Sequence, residues 1–205
     1  MRGAGVWGLW LVAHVAVAAP QPSLESKLET GDLVFQTSRS SQSEPIQRAT
    51  HSPLSHVGLV EVTPAGVFVV EAVQPVKRTP FAQWRARGVE GHILVLRPQG
   101  LDAAQRQRAV TEAKRHLGKP YDARFGWGDD AMYCSELVRK AYARGAGVEY
   151  GQMERLDSLD LADVRAALSR RYAGHAPANL ELVTPASLSK DERMTQVFSD
   201  FPRLP

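Results

Sequence analysis

Apolar residues alternate with polar ones in short runs through the first half of the chain, and recur every three or four residues through much of the second. The first pattern predicts half-buried strands and the second amphipathic helices. Gly31 to Phe35 (GDLVF) reads as a turn feeding a strand, with further strands expected at His56–Val60, Val67–Val73 and His92–Leu96. Thr63-Pro64-Ala65-Gly66 punctuates the second and third of these and predicts a hairpin. The polar stretch 36–55 reads as a long loop with one helical turn near Pro45–Ala49, and Phe81–Arg87 as a short connecting helix. Asp102 is placed to cap a helix running to Leu117, and residues 119–133 have no period and read as a loop. Cys134–Arg144 is expected to be a helix stopped by Gly145 and Gly147. Two more helices are predicted at Leu159–Leu168 and, opened by Thr184-Pro185, at Pro185–Phe198.

Composition narrows the picture. A chain of 205 residues with 43% hydrophobic content suits one domain with a substantial core. The net charge of +3 is small, and the nineteen arginines are scattered, which argues against a nucleic-acid partner. The first residues, MRGAGVWGLWLVAHVAVAAP, combine Arg2, an apolar stretch from Val6 to Val17 and a small-x-small site at Ala16-Val17-Ala18. That is the pattern of a secretory signal, and the apolar run, interrupted by His14, falls short of the ~20 residues that span a bilayer. Residues 1–18 are therefore expected to be removed after Ala18 or Ala19, leaving 19–205 as a soluble domain in the periplasm or cell envelope. Peripheral contact with membrane or cell wall is left open, as is the oligomeric state.

Export draws attention to the single cysteine, Cys134, which has no internal partner for a disulfide. It stands where the loop gives way to a helix, and a helix start favours a thiolate through unpaired amides and the dipole. Its position three and four residues before Leu137 and Val138 also suits a plain core residue. His56 opens the strand HVGLV, with Gly58 leaving the same face low. Glu71 lies in the otherwise apolar VFVVEAV, where a carboxylate is costly to bury without a partner. Pairing Val60 with Val67 in the hairpin would set His56 directly opposite Glu71. A carboxylate there can hold the imidazole tautomer while the other ring nitrogen faces a thiol. Tyr133, Tyr121, Phe125, Ser52 and His51 are candidates for cleft walls, and each equally suits the core or a loop. Glu136 and Lys140 read as a surface i,i+4 pair, and Asp129 and Asp130 as residues that cap the Cys134 helix or hold the loop, with cation binding the weaker alternative. No spacing of His, Cys and carboxylates suggests a metal site, and no cofactor motif is present.

The series GDLVF, SHVGLV, VVEA, LGKPYDARF and YCSELV resembles the permuted NlpC/P60-type papain-like cysteine hydrolases, the YiiX/YaeF-like amidase family, over about Gly31 to Tyr142, with an echo in VTPASL at 183–188. The resemblance implies an α+β papain-like fold, circularly permuted, with a small antiparallel barrel-like sheet packed against helices. It implies Cys134 as nucleophile, His56 as base, Glu71 as orienting residue, and cleavage of a peptide or N-acyl amide through a covalent acyl-enzyme. Two other readings stand beside it: an acyltransferase or esterase acting on lipid acyl groups with the same triad, and an envelope binding protein with a structural Cys134. The expected partner is a small-molecule, peptide or lipid-like acyl substrate.

Overall fold

Leu33–Gln36 forms strand β1, and all four of its side chains are buried, so the sheet must be covered on both sides there. Helix α1 (Ser43–Thr50) follows, then the hairpin of β2 (His56–Thr63) and β3 (Gly66–Glu71). Strand β4 (Lys77–Pro80) runs directly into α2 (Phe81–Ala86), and β5 (Leu94–Pro98) precedes the two long helices α3 (Ala103–Lys114) and α4 (Cys134–Ala146). The C-terminal part supplies β6 (Glu154–Arg155), α5 (Arg165–Arg171), β7 (Glu181–Leu182), α6 (Pro185–Ser189) and β8 (Met194–Ser199). The computed structural model describes residues 23–174, 177 and 179–202. The expected signal segment 1–18 lies outside the described residues.

Six strands form one antiparallel sheet in the order β4-β3-β2-β1-β5-β8, while β6 and β7 pair separately. Period-two alternation sorts the side chains to two faces. Leu33, Phe35, Val57, Leu59, Val70, Leu94 and Leu96 join the cluster that contains Ala109, Val110 and Ala113 of α3 and Leu137, Val138 and Ala141 of α4. Val34, Val60, Val69 and Val95 pack on the opposite side with Leu28, Phe81 and Trp84. The fold is the expected α+β arrangement of an antiparallel sheet against helices. Asp102 does cap α3: its carboxylate accepts from Gln105 N at 2.7 Å while Gln105 Oε1 accepts from Asp102 N at 3.0 Å. Gly147 ends α4 at φ 72°, a left-handed conformation that a side chain would strain.

Several boundaries differ from the sequence reading, each for a physical reason. The helical turn near Pro45–Ala49 is the full helix α1. Strand β4 was not expected, because KRTP is short, charged and Pro-ended, the composition of an edge strand. The helix expected over Pro185–Phe198 stops at Ser189. Its second half is strand β8, since Asp191 accepts from Arg193 N and turns the chain, and the β-rich MTQVFS pairs with β5. The expected helix Leu159–Leu168 begins only at Arg165, because Asp160 accepts from Ala162 N and holds the preceding residues in a turn.

The hairpin register also differs. Val60 pairs with Val69 and Leu59 with Val70, two residues from the expected match. A shift of two preserves the faces, whereas a shift of one would have reversed them. Glu71 therefore lies one step beyond the last pair, across from Gly58 and diagonal to His56.

Candidate active site

The diagonal placement works because Gly58 has no side chain. A Cβ there would lie 2.4 Å from Val69 Cγ1, 3.0 Å from the Val70 carbonyl and 3.4 Å from Glu71 Cβ. Across this gap His56 Nε2 meets Glu71 Oε2 at 2.7 Å. The Glu71 carboxylate is fully buried, and its other oxygen accepts from Thr79 Oγ1 at 2.6 Å and from Arg87 Nη2. Trp84 lies against the imidazole, ring centroids 6.2 Å apart. The ring is thus held in place, with Nδ1 left for another partner.

That partner is Cys134. The thiol is buried at the start of α4, where the His56 ring and the Val57 N–H interact with it; the Ser135 hydroxyl beside it donates to the Val183 carbonyl at 2.8 Å. Burial pushes the thiol pKa up, but the imidazolium beside it and these donors outweigh burial and bring it below the ordinary thiol value. His56 responds in the opposite sense. Burial pushes it down, and the hydrogen bonds with Cys134 and Glu71 reverse this and raise it to about 9. Burial likewise pushes the Glu71 carboxyl up, and His56, Thr79 and Arg87 bring it below its ordinary value. The structure thus brings Cys134, His56 and Glu71 together, with electrostatics that favour charge on each of them.

The surrounding loop is pinned to α4. Lys140 Nζ donates to the Trp127 and Gly128 carbonyls, Asp129 Oδ1 and Glu136 Oε1, at 2.7 to 3.0 Å. Glu136 Oε2 accepts from Tyr133 N at 3.1 Å. Glu136 and Lys140 are both buried, so their expected role as a surface pair is corrected. Asp129 does hold the loop, through Lys140 and Arg144.

Two cavities flank the pair. On the Cys134 side is a narrow apolar slot of about 50 Å³, walled by Phe125, Tyr133 and residues of α1, α5 and β7 such as Ile46, Leu168 and Leu182. On the His56 side is a wider cleft of about 690 Å³, lined mostly by residues with polar side chains, that also includes Tyr121. Tyr121 is held protonated by burial and by the negative charge of Cys134. Two expected wall residues are elsewhere. His51 is exposed, pairs with Asp160 at 3.1 Å and lines a separate groove beyond α1. Ser52 is buried, and its hydroxyl accepts from Leu54 N, closing a local turn. Sequence reasoning missed Thr79, Arg87 and Trp84, which come from the unrecognised edge strand and the helix after it.

A helix starting at a buried cysteine, set on an antiparallel sheet whose histidine precedes that cysteine in the chain, is a permuted papain-like arrangement. The chain belongs to the permuted papain-like amidase family, YaeF/YiiX, whose model matches residues 27–198. It is 41% identical over 197 residues to the uncharacterized protein YiiX of Escherichia coli K12, covering 95% of each chain. It is also similar to the crystal structure of YiiX from Escherichia coli O157:H7, with TM-score 0.83 and 42% identity over 86% of this chain and 99% of that one. That protein is described as a metalloprotein. Among the described residues of this chain, no three His, Cys, Asp or Glu side chains converge as a group able to hold a metal ion.

Proposed function

We propose that this chain is a cysteine amidase that splits a peptide or N-acyl amide through Cys134, His56 and Glu71. The observation that carries this reading is the buried hydrogen-bonded chain of thiol, imidazole and carboxylate. His56 takes the proton of Cys134, a transfer favoured by the raised imidazole and the lowered thiol. The Cys134 sulfur attacks the amide carbonyl carbon, and the oxyanion is met by the first-turn amides of α4, with the Tyr121 hydroxyl as side-chain donor. As the carbon–nitrogen bond breaks, His56 gives its proton to the departing amine. Water then gives a proton back to His56 and attacks the thioester, releasing the acid and the thiolate. Glu71 keeps the ring oriented and stabilises its charge throughout.

The apolar slot beside Cys134 supports a substrate with a slim apolar acyl group. Its open volume is below the ~150 Å³ of a cavity that binds benzene, which favours a linear chain over a ring. The same dry lining favours a second reading, transfer of the acyl group to an amine or alcohol in place of water. We place the reaction in the cell envelope, on the strength of the signal-like N-terminus.

A screen of peptide, N-acyl amino-acid and lipid amide libraries, with Cys134→Ala as blank, tests the function. The expected result is turnover by the wild type and none by C134A. Full activity in C134A would overturn the mechanism, and stimulation by an added amine or alcohol would favour the transferase reading.

A further inference from the structure

The two cavities differ in lining: the slot has one arginine, Arg171, among mostly apolar side chains, whereas the wider cleft has two arginines among amide and hydroxyl side chains. The apolar slot takes one side of the reacting bond, so the wider cleft on the His56 side receives the leaving group. Its wall carries Arg39, from the segment between β1 and α1, and Arg87, just after α2. Between them are amide and hydroxyl side chains, and no Asp or Glu lines the cleft. Arg87 commits Nη2 to Glu71, and about two-fifths of its side chain stays exposed. Arg39 is exposed and makes no ion pair among the described residues. Elsewhere on the surface most arginines are matched, as Arg48 is with Glu44, Arg97 with Glu29 and Asp32, and Arg144 with Asp129. A cleft of one sign between low-dielectric walls concentrates ions of the other sign.

We propose that this cleft recognises a carboxylate carried by the departing amine, which makes the substrate an acyl conjugate of an amino acid or of a peptide C-terminal residue. The inference rests on Cys134 and His56 being the reacting pair. An amide releases an amine, and a small amine bearing a carboxylate is an amino acid. The planar fork of a guanidinium suits a carboxylate's two oxygens. Arg87 is tied to Glu71, so Arg39 is the residue free to turn towards the ligand.

The test needs no natural substrate. Iodoacetate and iodoacetamide both alkylate Cys134, the sulfur displacing iodide, and they differ by one negative charge. The ratio of their rates at pH 6 therefore reads the charge of the cleft, with His56 common to every variant. Removing one unit charge roughly 8 Å away through water changes a rate about two- to three-fold. Arg39→Gln should lower the iodoacetate-to-iodoacetamide ratio by about that factor, Arg39→Glu by more, and Arg39→Lys should restore most of it. Millimolar alanine should protect Cys134 from iodoacetamide and alaninamide should not. A ratio equal in wild type and R39E would overturn the anion site while leaving the reacting pair intact. Better protection by phosphoethanolamine than by alanine would overturn the choice of carboxylate. If neither reagent labels Cys134 faster than a free thiol at pH 6, both this inference and the reacting pair fail.

Discussion

Replacing Glu71 with Gln keeps the side chain's shape and removes its charge. In the wild type, His56 is raised from 6.5 to about 9 despite its burial, with Cys134 and Glu71 as the partners that raise it. A lift of that size corresponds to roughly 3 kcal/mol in favour of the charged ring. Two anionic groups share it, so losing one removes about 1–2 kcal/mol, which is close to a ten-fold change in the ion-pair equilibrium. The ion-pair share of Cys134 should accordingly fall in E71Q, so its iodoacetamide alkylation rate near pH 6–7 should drop by up to about ten-fold, with rates converging at alkaline pH. Stability should fall as well, because the buried carboxylate accepts from His56, Thr79 and Arg87. Charge-assisted bonds of this kind are worth about 1.5–3 kcal/mol each, and Tm in a chain of this size moves ~2–4 °C per kcal/mol. An E71Q alkylation profile superimposable on the wild type would refute the idea that Glu71 stabilises the charged ring.

Gly58→Ala forces a Cβ to within 2.4 Å of Val69 Cγ1 and 3.0 Å of the Val70 carbonyl, so urea titration should show a loss of about 1–3 kcal/mol together with slower low-pH alkylation; a loss under ~0.5 kcal/mol would contradict the close approach. Glu136 is raised to about 7 by burial, against the pull of Lys140 and the Tyr133 amide. Its folded value lies above its unfolded 4.5, so its contribution is full below pH 4.5 and is lost as pH rises through about 7. Wild type should thus lose stability relative to Glu136→Gln across that window, and a constant gap would refute the assignment. Leu168→Trp should fill the slot and raise KM for long acyl chains more than for short ones. Tyr121→Phe should lower kcat by about ten-fold or more with little change in KM, if its hydroxyl meets the oxyanion.

The sheet and the site were legible in the sequence where local pattern carries the information. GDLVF, the hairpin, the α3 cap and the α4 start follow from alternation, turn residues and capping chemistry; Cys134 stood out as the single cysteine at a helix start, His56 as the opening of a strand beside Gly58, and Glu71 as a carboxylate in an apolar strand. The exact register was not legible, because pairing Val60 with Val67 or with Val69 keeps the same faces buried. What decides it is a tertiary fit, the room that Gly58 leaves for the His56–Glu71 contact. Thr79 and Arg87 were hidden for a related reason: the edge strand that brings them to Glu71 has the composition of a loop. The C-terminal strand β8 was masked by the strong helix-start signal of Thr184-Pro185, which acts only over α6. The buried Glu136–Lys140 pair looks like any surface i,i+4 pair until the loop closes over it.

The most direct test of the account is a pH titration of thiolate ultraviolet absorbance, taken as the difference between wild type and C134A and repeated in Glu71→Gln and His56→Ala. The account predicts a thiolate signal in the wild type below the ordinary thiol pKa, a smaller low-pH thiolate fraction in E71Q and a return to the ordinary range in H56A. A wild-type thiolate that appears only near or above ~8.5, unchanged by loss of His56, would contradict it.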